Sequence, residues 1–168
     1  MIKLEFPLNI CLHSTRPIFR GLINGKAITC MLDTGADIPV YCKGLDLFKD
    51  WTRSIDNVSF FKSYSIGGFG KGSEESELYN VPQFELSDGN NAITYHNMKI
   101  AVVSKPRIPC DLILSASLFM KMRYTIDCLN SHNSLVIEVD KNLYGVGFYP
   151  NKETIYIFTE DIGEIVEE

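Results

Sequence analysis

The chain has 168 residues, 45% of them hydrophobic and 22% charged, with a formal net charge of -5. That is enough chain to bury a real core as one domain, 1–168. The acidic balance argues against non-specific binding to nucleic acid or to an acidic membrane face, and no apolar run approaches the ~18 residues of a membrane span. Met1 to Asn9 alternates apolar and polar residues and lacks the basic segment and apolar block of a secretory leader, so a cytoplasmic protein is expected. Five scattered cysteines, Cys11, Cys30, Cys42, Cys110 and Cys128, contain no Cys-x-x-Cys pair to hold zinc. Cys30, Cys110 and Cys128 stand in apolar stretches and read as reduced core residues. His13, His96 and His132 lie far apart in sequence and suggest neither a ligand set nor a catalytic base.

In chain order the pattern is one of many short strands. Ile2 to Cys11 and Pro17 to Ile23 alternate or run apolar, Asn24-Gly25 is a two-residue hairpin turn, and Lys26 to Leu32 continues as a strand. Leu45 to Asp56 reads as irregular or a short helix. Val58 to Ile66 is strand-like and runs into Gly67-Gly68-Phe69-Gly70. Glu77 to Leu86 and Ala92 to Val103 flank the hairpin signal Asp88-Gly89-Asn90-Asn91. After Pro106 and Pro109, Asp111 to Leu114 is strand-like, and Ala116 to Lys121 is the expected helix. Tyr124 to Cys128, Leu135 to Val139, Tyr144 to Tyr149 and Thr154 to Thr159 give further strands. An acidic tail, 160–168, is expected to fray. The class is mainly β, and barrel-like.

The most informative stretch is Met31 to Val40, which reads Met-Leu-Asp-Thr-Gly-Ala-Asp-Ile-Pro-Val. A bare Asp-Thr-Gly arises by chance in roughly one chain in thirty of this length, so the flanks carry the signal. Two apolar residues lead into Asp33, and a small residue, Ala36, follows Gly35. This pattern suits a carboxylate carried out of a buried strand on a tight loop. The plain alternative is an ordinary β-turn.

Here the chain resembles the retropepsin family, the retroviral-type aspartic proteases. The resemblance rests on Leu32 to Asp37, on Arg16-Pro17 upstream, on the flap-like Ile66 to Gly70, and on the apolar Asp111 to Phe119. It covers roughly 16–127, leaving extra C-terminal hairpins over 128–159. It implies a closed β-barrel protomer with a flap hairpin and one short helix, active as a symmetric homodimer. Asp33 would be the general acid/base, with Thr34 hydrogen-bonding across the dimer axis and Gly35 letting the backbone turn beneath the carboxylates. Ala36 and Asp37 would line the cleft, and Arg16 would reach the partner's copy of Asp37. Ile66, Gly67, Gly68 and Phe69 would form the flap over the substrate. Ile108, Pro109, Cys110 and Ile113 would line apolar side-chain pockets.

Physical reasoning leads to the same chemistry. Aspartic proteolysis needs two carboxylates sharing one water, and held a few ångströms apart they cannot both ionise. Only one Asp-Thr/Ser-Gly occurs here, so one chain supplies half a site and an active enzyme must be a dimer. The expected function is an aspartic endopeptidase acting on protein or peptide substrates with no cofactor, no metal and no nucleic-acid or membrane partner. The alternative is a retropepsin-like domain that binds peptide or assembles without turnover. Two departures from the family pattern stand out. Ser115 replaces the usual Gly, and Ala116 replaces the Arg that retroviral members pair with the cleft Asp.

Overall fold

A hairpin of Ile18–Ile23 (β2) and Lys26–Asp33 (β3) starts the main sheet, with Ile23 opposite Lys26. Asn24 (φ 50°) and Gly25 (φ 81°) form the turn, as the Asn-Gly signal predicts. Asn24 also ties the hairpin tip to the rest of the sheet: its Oδ1 accepts from the Glu85 backbone N–H at 2.8 Å, and its own N–H donates to the Glu85 carbonyl at 2.9 Å. The computed structural model describes residues 1–9, 16–67, 74–119, 121–128, 133–140, 145–149 and 152–158.

The remaining strands of this sheet are Val40–Tyr41 (β4), Ser59–Ile66 (β5), Glu74–Ser87 (β6), Ala92–Val102 (β7) and Leu112–Ser115 (β8). Around them the pairings run β7–β4–β8–β3–β2–β6, and β6 pairs again with β7 along most of their length. β3 and β8 are parallel, with Cys30 opposite Leu112 and Asp33 opposite Ser115. β5 lies outside β6 as an edge strand, with a register shift between Phe60 and Lys62. Gly145–Tyr149 (β11) and Lys152–Phe158 (β12) form a hairpin whose second strand adds in parallel to β7.

Ile2–Pro7 (β1), Arg123–Asp127 (β9) and Ser134–Val139 (β10) form a separate three-stranded sheet in the order β1-β10-β9. β1 alternates buried and exposed residues, the period-2 pattern of a strand with one face on a core. Leu4 and Phe6 join Leu135, Ile137 and Val139 in the main hydrophobic cluster. β9 differs: it is the edge of this sheet among the described residues, and its first four residues are exposed.

The helices depart from expectation. The α-helix is Leu45–Trp51 (α1), where the sequence left irregular structure or a short helix open. It forms because Phe48 and Trp51 are both buried, in an aromatic cluster in which Trp51 stacks on Tyr41 at 5.3 Å and Phe48 meets Tyr79 at 5.2 Å. The helix expected over Ala116 to Lys121 is only a 3₁₀ turn, Ala116–Phe119. Leu118 and Phe119 are buried, and Lys121 takes a left-handed φ of 63°, which ends any helical run.

Candidate active site

The site is built at the C-terminal end of β3. Ile28, Cys30 and Leu32 point into the main core, so Met31 and Asp33 face the other way. Just past the strand the chain turns sharply. Asp33 Oδ1 accepts the Gly35 N–H at 2.9 Å, and the Asp33 carbonyl accepts the Ala36 N–H at 3.2 Å. A Cβ added at Gly35 would meet Asp33 Oδ1 at 3.4 Å, an ordinary van der Waals contact. Gly35 does not take a positive φ, so neither a left-handed turn nor crowding at Cβ demands glycine here, contrary to the expected need for it beneath the carboxylate.

A short chain of hydroxyls braces this turn from β8. Ser117 Oγ donates to the Asp37 carbonyl at 3.0 Å and lies 2.7 Å from Ser115 Oγ. A hydroxyl has one hydrogen, so Ser115 is the donor to Ser117. Ser115 is fully buried opposite Asp33. Its departure from glycine is thus accommodated: its hydroxyl is satisfied by Ser117, two residues on.

Asp33, Gly35, Ala36 and Asp37 border a cleft of about 1070 Å³. Its other walls come from Ile66 and Gly67 at the end of β5, from Ile108 and Ile113, and from Arg16 and Pro17. Most of the expected site residues therefore converge on one cavity. Thr34 is exposed and does not line it, and Pro109 is likewise exposed and outside it. Gly68 and Phe69, the expected flap tip, lie outside the described residues.

Sequence reading missed several lining residues. Met31 and Tyr64 stand two positions before Asp33 and Ile66 on the same strand faces, so strand alternation could have found them. Lys105 and Arg107 form a basic wall that no motif announced. Behind the cleft, Ile38, Val40, Cys42, Tyr64, Cys110 and Ile113 belong to a second hydrophobic cluster distinct from the main core. Cys110 therefore lies in the floor of the cluster rather than on the cleft surface.

The cysteines need one correction. Cys30 and Cys110 are buried as expected, but Cys128 is exposed, and Cys42 is buried instead. Cys128 follows β9, whose first four residues are exposed, whereas Cys42 follows the buried strand β4. All four are free thiols. The Cys42 thiol donates to the Val40 carbonyl at 3.7 Å, and its neighbour Cys110 together with burial pushes its pKa well above the ordinary value. Burial likewise pushes up the Cys30 thiol. Among the described residues no group of three or more His, Cys, Asp and Glu side chains could hold a metal ion. No helix among them is long and apolar enough to cross a membrane.

No protein-family model matches this chain, and no curated protein matches it in sequence. Among solved structures it is similar to the crystal structure of a retropepsin-like aspartic protease from Rickettsia conorii. The TM-score is 0.52 at 15% identity, over 82% of this chain and 91% of the other. The fold is retropepsin-like. Within this fold the Asp33 turn, the end of β5 and Ile113 of β8 line one cleft.

Proposed function

We propose that this protein is an aspartic endopeptidase that works as a symmetric homodimer. The observation that carries the reading is Asp33, presented at the edge of a large cleft by a tight turn at the end of β3, in a retropepsin-like fold. The ring of pairings through β7, β4, β8, β3, β2 and β6 supports a closed barrel as the protomer's frame. The free thiols fit the reducing cytoplasm.

One chain brings one such carboxylate, so the second comes from a second copy across a two-fold axis. The exposed Thr34 is placed on the same turn as Asp33, and a hydroxyl can both donate and accept in a crossed pair. The exposed edge strand β9 supports an interface there, since among the described residues it ends its sheet, and Tyr124 and Ile126 are large hydrophobics left exposed on it.

In the dimer the two carboxylates share one proton and titrate as a pair. The ionised one takes a proton from water as the water oxygen attacks the peptide carbonyl carbon. The protonated one donates a hydrogen bond to the carbonyl oxygen. The tetrahedral intermediate then collapses: the C–N bond breaks, a proton passes to the leaving nitrogen, and a carboxylic acid and an amine result. Ile66, Ile108 and Ile113 supply apolar walls, which favours large apolar side chains beside the scissile bond.

The test is digestion of an unfolded protein by wild type and Asp33→Asn, with products read by mass spectrometry and the fold checked by circular dichroism. Cleavage by wild type alone is the expected result. A folded wild type that binds peptides and cleaves nothing would overturn the protease reading and leave a peptide-binding or assembly domain.

A further inference from the structure

The chain is acidic overall, yet one wall of its cleft is basic. Lys105 and Arg107 both line the cavity, on the tight turn 105–108 closed by the Ile108 N–H donating to the Lys105 carbonyl at 3.0 Å. Pro106 holds the second position of that turn, where its fixed φ is favoured, which leaves Arg107 at the third.

The turn is fixed from behind. The Lys105 N–H donates to the Cys42 carbonyl at 2.7 Å. The half-buried Lys43 sends Nζ to the carbonyls of Ile108 at 2.8 Å and Pro106 at 3.3 Å. Lys43 thus adds a third positive charge behind the wall while holding its backbone in place. Arg107 is exposed and forms no ion pair among the described residues. The carboxylates on this cavity, Asp33 and Asp37, stand on the β3 turn.

We infer that the turn 105–108 selects an acidic side chain, Asp or Glu, in the bound peptide. Its carboxylate would meet Arg107, within the field of Lys105, while a neighbouring apolar side chain packs against Ile108 and Ile113. An extended peptide presents every second side chain to the same wall, roughly 6.5 Å apart. The acidic residue therefore stands two positions from an apolar one beside the scissile bond. Arg107 and Lys105 are specificity-determining residues in this assignment, not catalytic ones. The inference rests on the cleft being a peptide-cleaving site.

The experiment compares kcat/KM of the wild-type protein on matched peptides carrying Glu, Gln or Lys at that position. Glu should exceed Gln by about 2- to 5-fold, the size of an exposed ion pair, and Lys should be poorest. The preference should shrink with added salt. In the Arg107→Ala/Lys105→Ala double variant the Glu/Gln ratio should fall to about 1, through KM rather than kcat. Arg107→Glu should move the preference toward Lys. An active wild type that cleaves the Glu and Gln peptides equally would overturn the subsite and leave the protease reading standing. If the wild type cleaves nothing, fluorescence anisotropy of the same labelled peptides decides the point. Tighter binding of the Glu peptide, lost in the double variant, supports the basic wall, and equal binding overturns it.

Discussion

Two turns border this cleft, and they are held in different ways. The Asp33 turn is stabilised mostly by its own residues: the carboxylate accepts from Gly35 and the carbonyl from Ala36, with Ser117 as the outside brace. The turn 105–108 has one internal bond and relies on Lys43, some 60 positions earlier, to hold two of its carbonyls. A local turn writes its constraints into adjacent residues. A turn held from afar does not, and its sequence carries no motif.

The largest effect should come from the first turn. Asp33→Asn removes the carboxylate proposed to take the proton from water while keeping an acceptor oxygen for the Gly35 N–H. Its kcat/KM should fall by at least about 10²–10⁴-fold with the melting temperature nearly unchanged. An active Asp33→Asn protein would break the assignment of this turn to the chemistry. The proposed dimer comes next. Ile126→Glu places a charge on the edge strand β9, where Ile126 is 43% exposed. Weaker association by sedimentation, at least about tenfold, together with loss of cleavage at low protein concentration, is expected. A variant that associates as well as wild type would move the interface elsewhere.

What the sequence made legible follows the same division. The Asn24-Gly25 hairpin, the β3 strand and the Asp33 turn were readable because each is specified by neighbours: a left-handed pair of residues, an apolar alternation, a short carboxylate beside a glycine. The lining role of Lys105 and Arg107 was not, since it depends on Lys43 and on where the turn meets the sheet. The 3₁₀ turn at Ala116–Phe119 was overread as a helix because apolar residues alone do not fix helix length. α1 was underread because its stability comes from burying Phe48 and Trp51 against Tyr41 and Tyr79, which belong to distant strands.

Ser117→Ala tests the single brace that the first turn borrows. It removes the donor to the Asp37 carbonyl and leaves the buried Ser115 hydroxyl without its partner. Leaving a buried hydroxyl unsatisfied costs about 1–3 kcal/mol. A chemical denaturation midpoint lowered to that extent, with reduced kcat, is expected. Ser115→Gly/Ser117→Ala removes the stranded hydroxyl as well, so part of the stability should return. Failure of the second change to restore any stability would mean that the hydroxyl pair is not what braces the turn.

Lys43→Met tests the second turn, and its effect should be the smallest. Methionine keeps the apolar stem packed and deletes only the ammonium. Two hydrogen bonds to the carbonyls of Pro106 and Ile108 are lost, but both acceptors lie near the surface and water can replace the donor. The expected cost is therefore about 1 kcal/mol, a melting temperature lower by roughly 2–4 °C. The functional effect should fall on KM for acidic peptides, by a few-fold, because the turn loosens and one positive charge leaves the wall. Asp33 keeps every bond described for it, so kcat should hold. An equal fall in kcat would show that the two turns are coupled, and the contrast between a self-held catalytic turn and a remotely held specificity turn would fail.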